Sequence, residues 1–248
     1  MRILFFIFLN CLISTTQVFS ENRNELQLIF RNYVGDELLV LNNQEYKNEL
    51  GQPYTVSKFK YYIGNIQLLD YFGNVFSVDN YHLINQDIKN SGEITLKSIP
   101  PGNYKSISFL IGVDSLHNCS GLQEGALDPI NGMFWAWNTG YIFLKLEGHS
   151  ELSKSPAGMF EYHIGGYKKP ANAIRKVTLD LVDVNYLTER TGSKTVTIKT
   201  DVGQILKRPT TIDFSVLSSV ADFNNAEMIA DNYCDMFSII EENEKNEK

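Results

Sequence analysis

Ten short runs of apolar or alternating residues, separated by Gly, Asn and Pro, set the limits on how this chain can fold. They are LQLIFRNYV (26–34), TVSKFKYYIGNIQLLD (55–70), NVFSVDNYHLIN (74–85), EITLKSI (93–99), YKSISFLIGVD (104–114), YIFLKLEG (141–148), FEYHIGG (160–166), KVTLDLV (176–182), SKTVTIKTDV (193–202) and TIDFSVL (211–217). Strand side chains point alternately to opposite faces, so this spacing favours strands over helices. Ten such strands without a linker between them predict an all-β single domain, a sandwich or a barrel, and the reading adopted is a single-domain antiparallel β-sandwich. Only AEMIADNYCDMFSII (226–240) lacks Gly and Pro and spaces its apolar residues helically, which predicts one short C-terminal helix.

The two ends read differently. MRILFFIFLNCLISTTQVFS (1–20) joins a basic Arg2 to an apolar run and small polar residues, the pattern of a secretory signal cleaved before Glu21. A lipid attached at Cys11 is the alternative route. The expected domain is then 21–240, and EENEKNEK (241–248) is expected to be a disordered acidic tail. The whole chain carries a formal charge of −7, and losing the signal removes Arg2 and no acidic residue. Nucleic acid is therefore not an expected partner. A secreted or periplasmic location would allow Cys119 and Cys234 to form a disulfide, and two unpaired thiols are the equal alternative.

Hydrolase and phosphate-binding signatures are missing: there is no Gly-x-Ser-x-Gly, HExxH or Gly-Lys-Ser/Thr loop. The expectation is a binding protein and not an enzyme; Glu147 with Glu161 is the one carboxylate pair to check for glycosidase geometry. IPPGNY (99–104) reads as a structural turn. DSLHNCSGLQEGALDPING (114–132) reads as a long loop without periodicity, a length that in compact domains often carries function.

The scarce residues carry more information. His82, His117, His149 and His163 are the only histidines, and imidazoles gathered from different strands could hold copper or zinc. His163 reads equally as a core-edge residue bonded to a backbone carbonyl, and His149 follows a glycine at a strand end. Both tryptophans, Trp135 and Trp137, stand in NGMFWAWNTGYIFLKLEG (131–148) on the face of Met133, opposite Phe134. They are either core or, with the Met133 thioether, neighbours of a soft metal.

The order KYYIGNIQLLDYFG, YHLIN, IPPGNYKSISFLIGVDSLHN, GALDPINGMFWAWNTGYIFLKLEG and FEYHIGG resembles the MbnP-like family of periplasmic copper-binding proteins, the relatives of MbnP, MopE and CorA. The resemblance spans about residues 26–183 and implies a secreted β-sandwich with a mononuclear, non-catalytic copper site. It implies His163 (in YHIGG) and His82 (before the LIN step) as leading ligands and His117 next. It also implies a partner protein in the periplasm or outer membrane. In the characterised type an oxidised tryptophan joins the histidines; here VDNYHLIN has no tryptophan, and Trp135 and Trp137 match the family's framework segment. The reading set against this is a metal-free interaction module that holds a protein or glycan through the 114–132 loop.

Overall fold

The structure, a computed structural model, describes residues 24–135, 140–169, 171–181, 193–221 and 225–240. The expected signal 1–20, Cys11, Trp137 and the tail 241–248 lie outside the described residues. In chain order the strands are β1 (Asn24–Val34), β2 (Glu37–Leu38), β3 (Glu45–Lys47), β4 (Pro53–Asp70), β5 (Val75–Val78), β6 (His82–Asn85), β7 (Glu93–Ile99), β8 (Tyr104–Ile111), β9 (Phe134–Trp135) and β10 (Gly140–His149). They continue with β11 (Met159–Gly165), β12 (Tyr167–Lys168), β13 (Ala171–Asn172), β14 (Arg175–Asp180), β15 (Ser193–Asp201), β16 (Ser219–Val220) and β17 (Phe237–Ile240). Two helices, α1 (Ser115–Cys119) and α2 (Ala226–Tyr233), and five short 3-10 turns complete the regular structure among the described residues.

Two sheets face each other. One runs β17-β15-β1, with β7 and β2 sharing the far edge of β1; the other runs β14-β8-β4-β10-β11-β16. β4 is the spine of the second sheet. Its register shows β10 and then β8 along one edge, and β3, β6 and β5 in succession along the other. The alternating inward residues of β1, Leu26, Leu28 and Phe30, are buried and meet the inward face of the other sheet. Phe30, Phe109, Tyr61 and Phe237 interlock edge to face between the layers. The Tyr61 hydroxyl, which is fully buried, reaches across to Asn32 and Thr200 of the first sheet. Such satisfied polar groups register two layers that apolar contacts alone would let slide.

The all-β fold with a short C-terminal helix is as the alternation predicts, and three local features differ. β1 pairs with β15 in parallel, as does β11 with β16. A parallel pair needs a crossover, and for β1 and β15 the crossover carries every strand of the second sheet except β16. TIDFSVL is not a strand: the Asp213 carboxylate accepts from the Ser215 N–H and hydroxyl, folding the segment into a turn that drops Phe214 into the core. Helix α2 stops at Tyr233, and Phe237–Ile240 becomes the edge strand β17 against β15. There Phe237 packs on Phe30 and Phe109, which a continued helix would not allow.

Candidate functional site

The 114–132 segment is a shaped wall with no strand of its own. Asp114 caps α1 by accepting the His117 N–H at 2.9 Å. Asn118, on the same helix, accepts the Tyr141 N–H at 3.0 Å and so ties α1 to the start of β10. Farther along, the Tyr62 hydroxyl donates to Ala126 O at 2.9 Å and the Tyr141 hydroxyl to Leu127 O at 2.7 Å. Lys60 and Lys145 hold the carbonyls of Asn131 and Gly132. Side chains from β4 and β10 therefore fix a segment that the sequence shows only as rich in turn formers.

Between this wall and the entry to β6 lies a cleft of about 420 Å³. Its lining includes Asp79, Tyr81, His82, His117 and Glu124, so two of the three histidines favoured by the sequence share it. The His82 Nε2 is buried and has no hydrogen-bond partner among the described residues, and burial lowers the His82 pKa from its ordinary value. His117 turns Nδ1 to the Asp114 carboxylate, 3.1 and 2.9 Å from its two oxygens. No hydrogen bond to His117 Nε2 is formed among the described residues. The Tyr81 ring meets the His117 ring edge to face at 4.8 Å, and its hydroxyl donates to Asp114 Oδ2 at 2.7 Å. Burial alone would raise the Asp114 pKa, but the bonds from the His117 N–H, Tyr81 and the His117 ring outweigh it and leave the carboxyl below its ordinary value. Asp114 and Tyr81 were not singled out from sequence, although an Asp three residues before His117 at a turn is an N-cap signal.

His163 is elsewhere. It pairs with Lys145 on β10, Lys145 with Lys60 on β4, and Lys60 with Asn85 on β6. Three interstrand steps, about 14 Å across the sheet, thus separate its strand from that of His82, which lies three residues before Asn85 on β6. The His163 Nε2 is 2.8 Å from Glu147 Oε1, and Lys58 holds the other oxygen at 2.7 Å. This chain of contacts accounts for His163 as a core-edge residue. Glu147 and Glu161 are direct cross-strand neighbours on the same face, with Glu147 committed to Lys58 and His163 and Glu161 exposed.

Burial lowers the His163 pKa, against a smaller opposing effect of Glu147. The folded state thus binds its proton at lower pH than the unfolded chain does. Stability is full above the ordinary histidine pKa of about 6.5 and falls as pH drops from there toward the folded value, because the unfolded state then holds more protons. His82 acts in the same direction. Urea unfolding of the metal-free protein is expected to give a lower midpoint at pH 5.5 than at 7.5. His163→Gln, which can still donate to Glu147, should shrink that difference; an unchanged difference would mean that His163 does not carry it.

Of the tryptophan segment, the described residues Met133 and Trp135 belong to the core. Trp135 and Met133 are buried, β9 pairs Trp135 with Gly140, and an added Cβ at Gly165 would lie 2.6 Å from the Trp135 ring. Neither Met133 nor Trp135 is among the cleft residues. Cys119 and Cys234 are free thiols, Cys119 exposed on α1 beside Tyr167 and Cys234 held to Asp231 O near α2. No cluster of three or more His, Cys, Asp or Glu side chains suited to a metal occurs among the described residues.

Comparison with curated proteins finds no match. Among solved structures, MbnP from Methylosinus trichosporium aligns with 78% of this chain and 80% of its own, at 12% identity and a TM-score of 0.49. The family model described as MbnP matches residues 23–227, most of the sequence. The chain belongs to the MbnP family.

Proposed function

We propose that this protein binds one copper ion without catalysing a reaction, through His82 and His117, in the periplasm or outside the cell. The observation that carries the reading is the His82 Nε2, buried without a partner beside a cleft that His117 also lines. A buried nitrogen left unpaired costs about 1–3 kcal/mol, and a cation held there would take up its lone pair. Asp79 and Glu124 add negative charge at the same cleft. Neutral imidazoles suit copper and zinc, and among divalent first-row ions copper binds such donors most tightly. Membership of the MbnP family favours copper over zinc.

Elemental analysis of the mature protein after copper reconstitution, with zinc as competitor, is expected to give about one copper per chain. His163→Ala should bind copper as the parent does, since His163 is tied to Glu147 away from the cleft. Failure to retain copper in the parent would end the reading, and loss on His163→Ala would move the site. A second reading rests on a different observation: Leu116, Leu122 and Ile130 of the wall are 71%, 80% and 88% exposed. A metal-free module that docks a protein through this wall is the function left if copper does not bind.

A further inference from the structure

We infer that Asp114 and Tyr81 are positioning residues that leave His117 Nε2 as the nitrogen facing an incoming cation; the metal half of this inference rests on the copper reading above. An ionised carboxylate can only accept, so the contact of His117 Nδ1 with Asp114 requires a proton on Nδ1. In the neutral ring the other nitrogen, Nε2, then carries the free lone pair. Histidines that bind metals commonly donate their second N–H to a carboxylate in this way, which fixes both tautomer and ring angle.

Asp114 is itself held from several sides. Its Oδ1 accepts the His117 N–H, its Oδ2 accepts the Tyr81 hydroxyl, and its own N–H donates back to that hydroxyl at 3.1 Å. One carboxylate therefore sets the backbone and the ring of the same histidine. Tyr81 comes from the turn before β6, so it links the wall to the strand that carries His82. Gly64 of β4 makes room for it: an added Cβ there would stand 2.4 Å from the Tyr81 ring.

Asp114→Asn is the discriminating substitution. Its one oxygen can keep the cap on the His117 N–H, which places the NH2 where Oδ2 was, donating to His117 Nδ1. That donation favours the ring protonated on Nε2, the wrong nitrogen for the cleft, over the longer 3.1 Å contact of Nδ1 with the retained oxygen, as the Asp→Asn change does in serine-protease triads. Long-range proton–nitrogen NMR of the metal-free mature protein is expected to show His117 protonated on Nδ1 in the parent and on Nε2 in Asp114→Asn. Copper affinity should fall about 10- to 100-fold in that variant. Tyr81→Phe keeps the ring and the carboxylate but loses both hydroxyl bonds with Asp114, one donated and one accepted, so it should keep the parent tautomer with a smaller loss.

A parent His117 protonated on Nε2, or a tautomer unmoved by Asp114→Asn, would overturn the assignment even if copper still bound. Tautomers that switch as expected in a protein that takes up no copper would sustain the role of Asp114 and remove the copper reading instead. Retained chemical-shift dispersion in Asp114→Asn, with Tyr81→Phe as the milder variant, separates either result from loss of folding.

Discussion

Alanine at position 148 is expected to lower the unfolding free energy by about 3 kcal/mol or more. Gly148 lies in β10, paired with Phe160 of β11 on one side and Val56 of β4 on the other, at a point where the β4 register shifts. An added Cβ would stand 2.0 Å from Thr55 O and 2.4 Å from the Phe160 ring. Neither can give way easily. The Thr55 carbonyl belongs to the backbone of the spine strand, and Phe160 is fully buried in a stack with Tyr162 at 5.4 Å and Phe214 at 4.7 Å. Overpacking a well-filled core usually costs about 1–3 kcal/mol, and a clash with backbone adds to it because β4 pairs on both edges here. Against a total of about 5–15 kcal/mol for a domain, the variant should be partly unfolded on mild heating. Gly64→Ala is the milder comparison: the atoms nearest its added methyl belong to the half-buried Tyr81 ring and not to backbone, so its loss should be smaller and should fall on the contacts of Tyr81 with Asp114 and His117. Denaturant midpoints of the two variants against the parent decide the matter, and parent-like stability for Gly148→Ala would mean that β10 does not pack as described.

The parts of this fold legible in the sequence are those set by short-range periodicity. Leu26, Leu28 and Phe30 alternate with half-buried neighbours along β1, as a strand with one face on a core must. Alternation fails where both faces are covered. Tyr141, Ile142, Phe143 and Leu144 are all buried, because the 114–132 wall packs over the face that would otherwise meet water. It fails again where a side chain captures its own backbone, as Asp213 does, and where a partner is remote, as β15 is for β1.

The site obeys the same division. All four histidines stand out by scarcity, and the family resemblance favours His163, His82 and His117, but only the register β11-β10-β4-β6 shows that His163 is on a different part of the sheet. That register depends on bulges and pairing choices that no local pattern encodes. The crowding of aromatics around Trp135 raised a metal neighbour and a core strand as alternatives, and the close approach of its ring to Gly165 places Trp135 in the core.

Removing either imidazole from the cleft should weaken copper binding at least about 100-fold, near 2.7 kcal/mol, because losing an outer-shell partner already costs about 10- to 100-fold. His82→Ala and His117→Ala are therefore expected to behave alike toward copper, although they differ toward folding. His82 carries a buried ring nitrogen and sits in a strand, so its truncation opens space in the structure. His117 is on the partly exposed wall, and its truncation leaves less behind. The ligand effect is separable from stability by adding copper. An ion at 100 times its Kd raises folding stability by about 2.7 kcal/mol, a thermal shift the parent should show and each variant should lose. The double variant is the sharper instrument. Two ligands of one ion act as a unit, so His82→Ala with His117→Ala should be hardly worse than either alone. Losses that simply add would describe two independent weak sites, one at each histidine, and a shift that survives in the double variant would place the copper on neither.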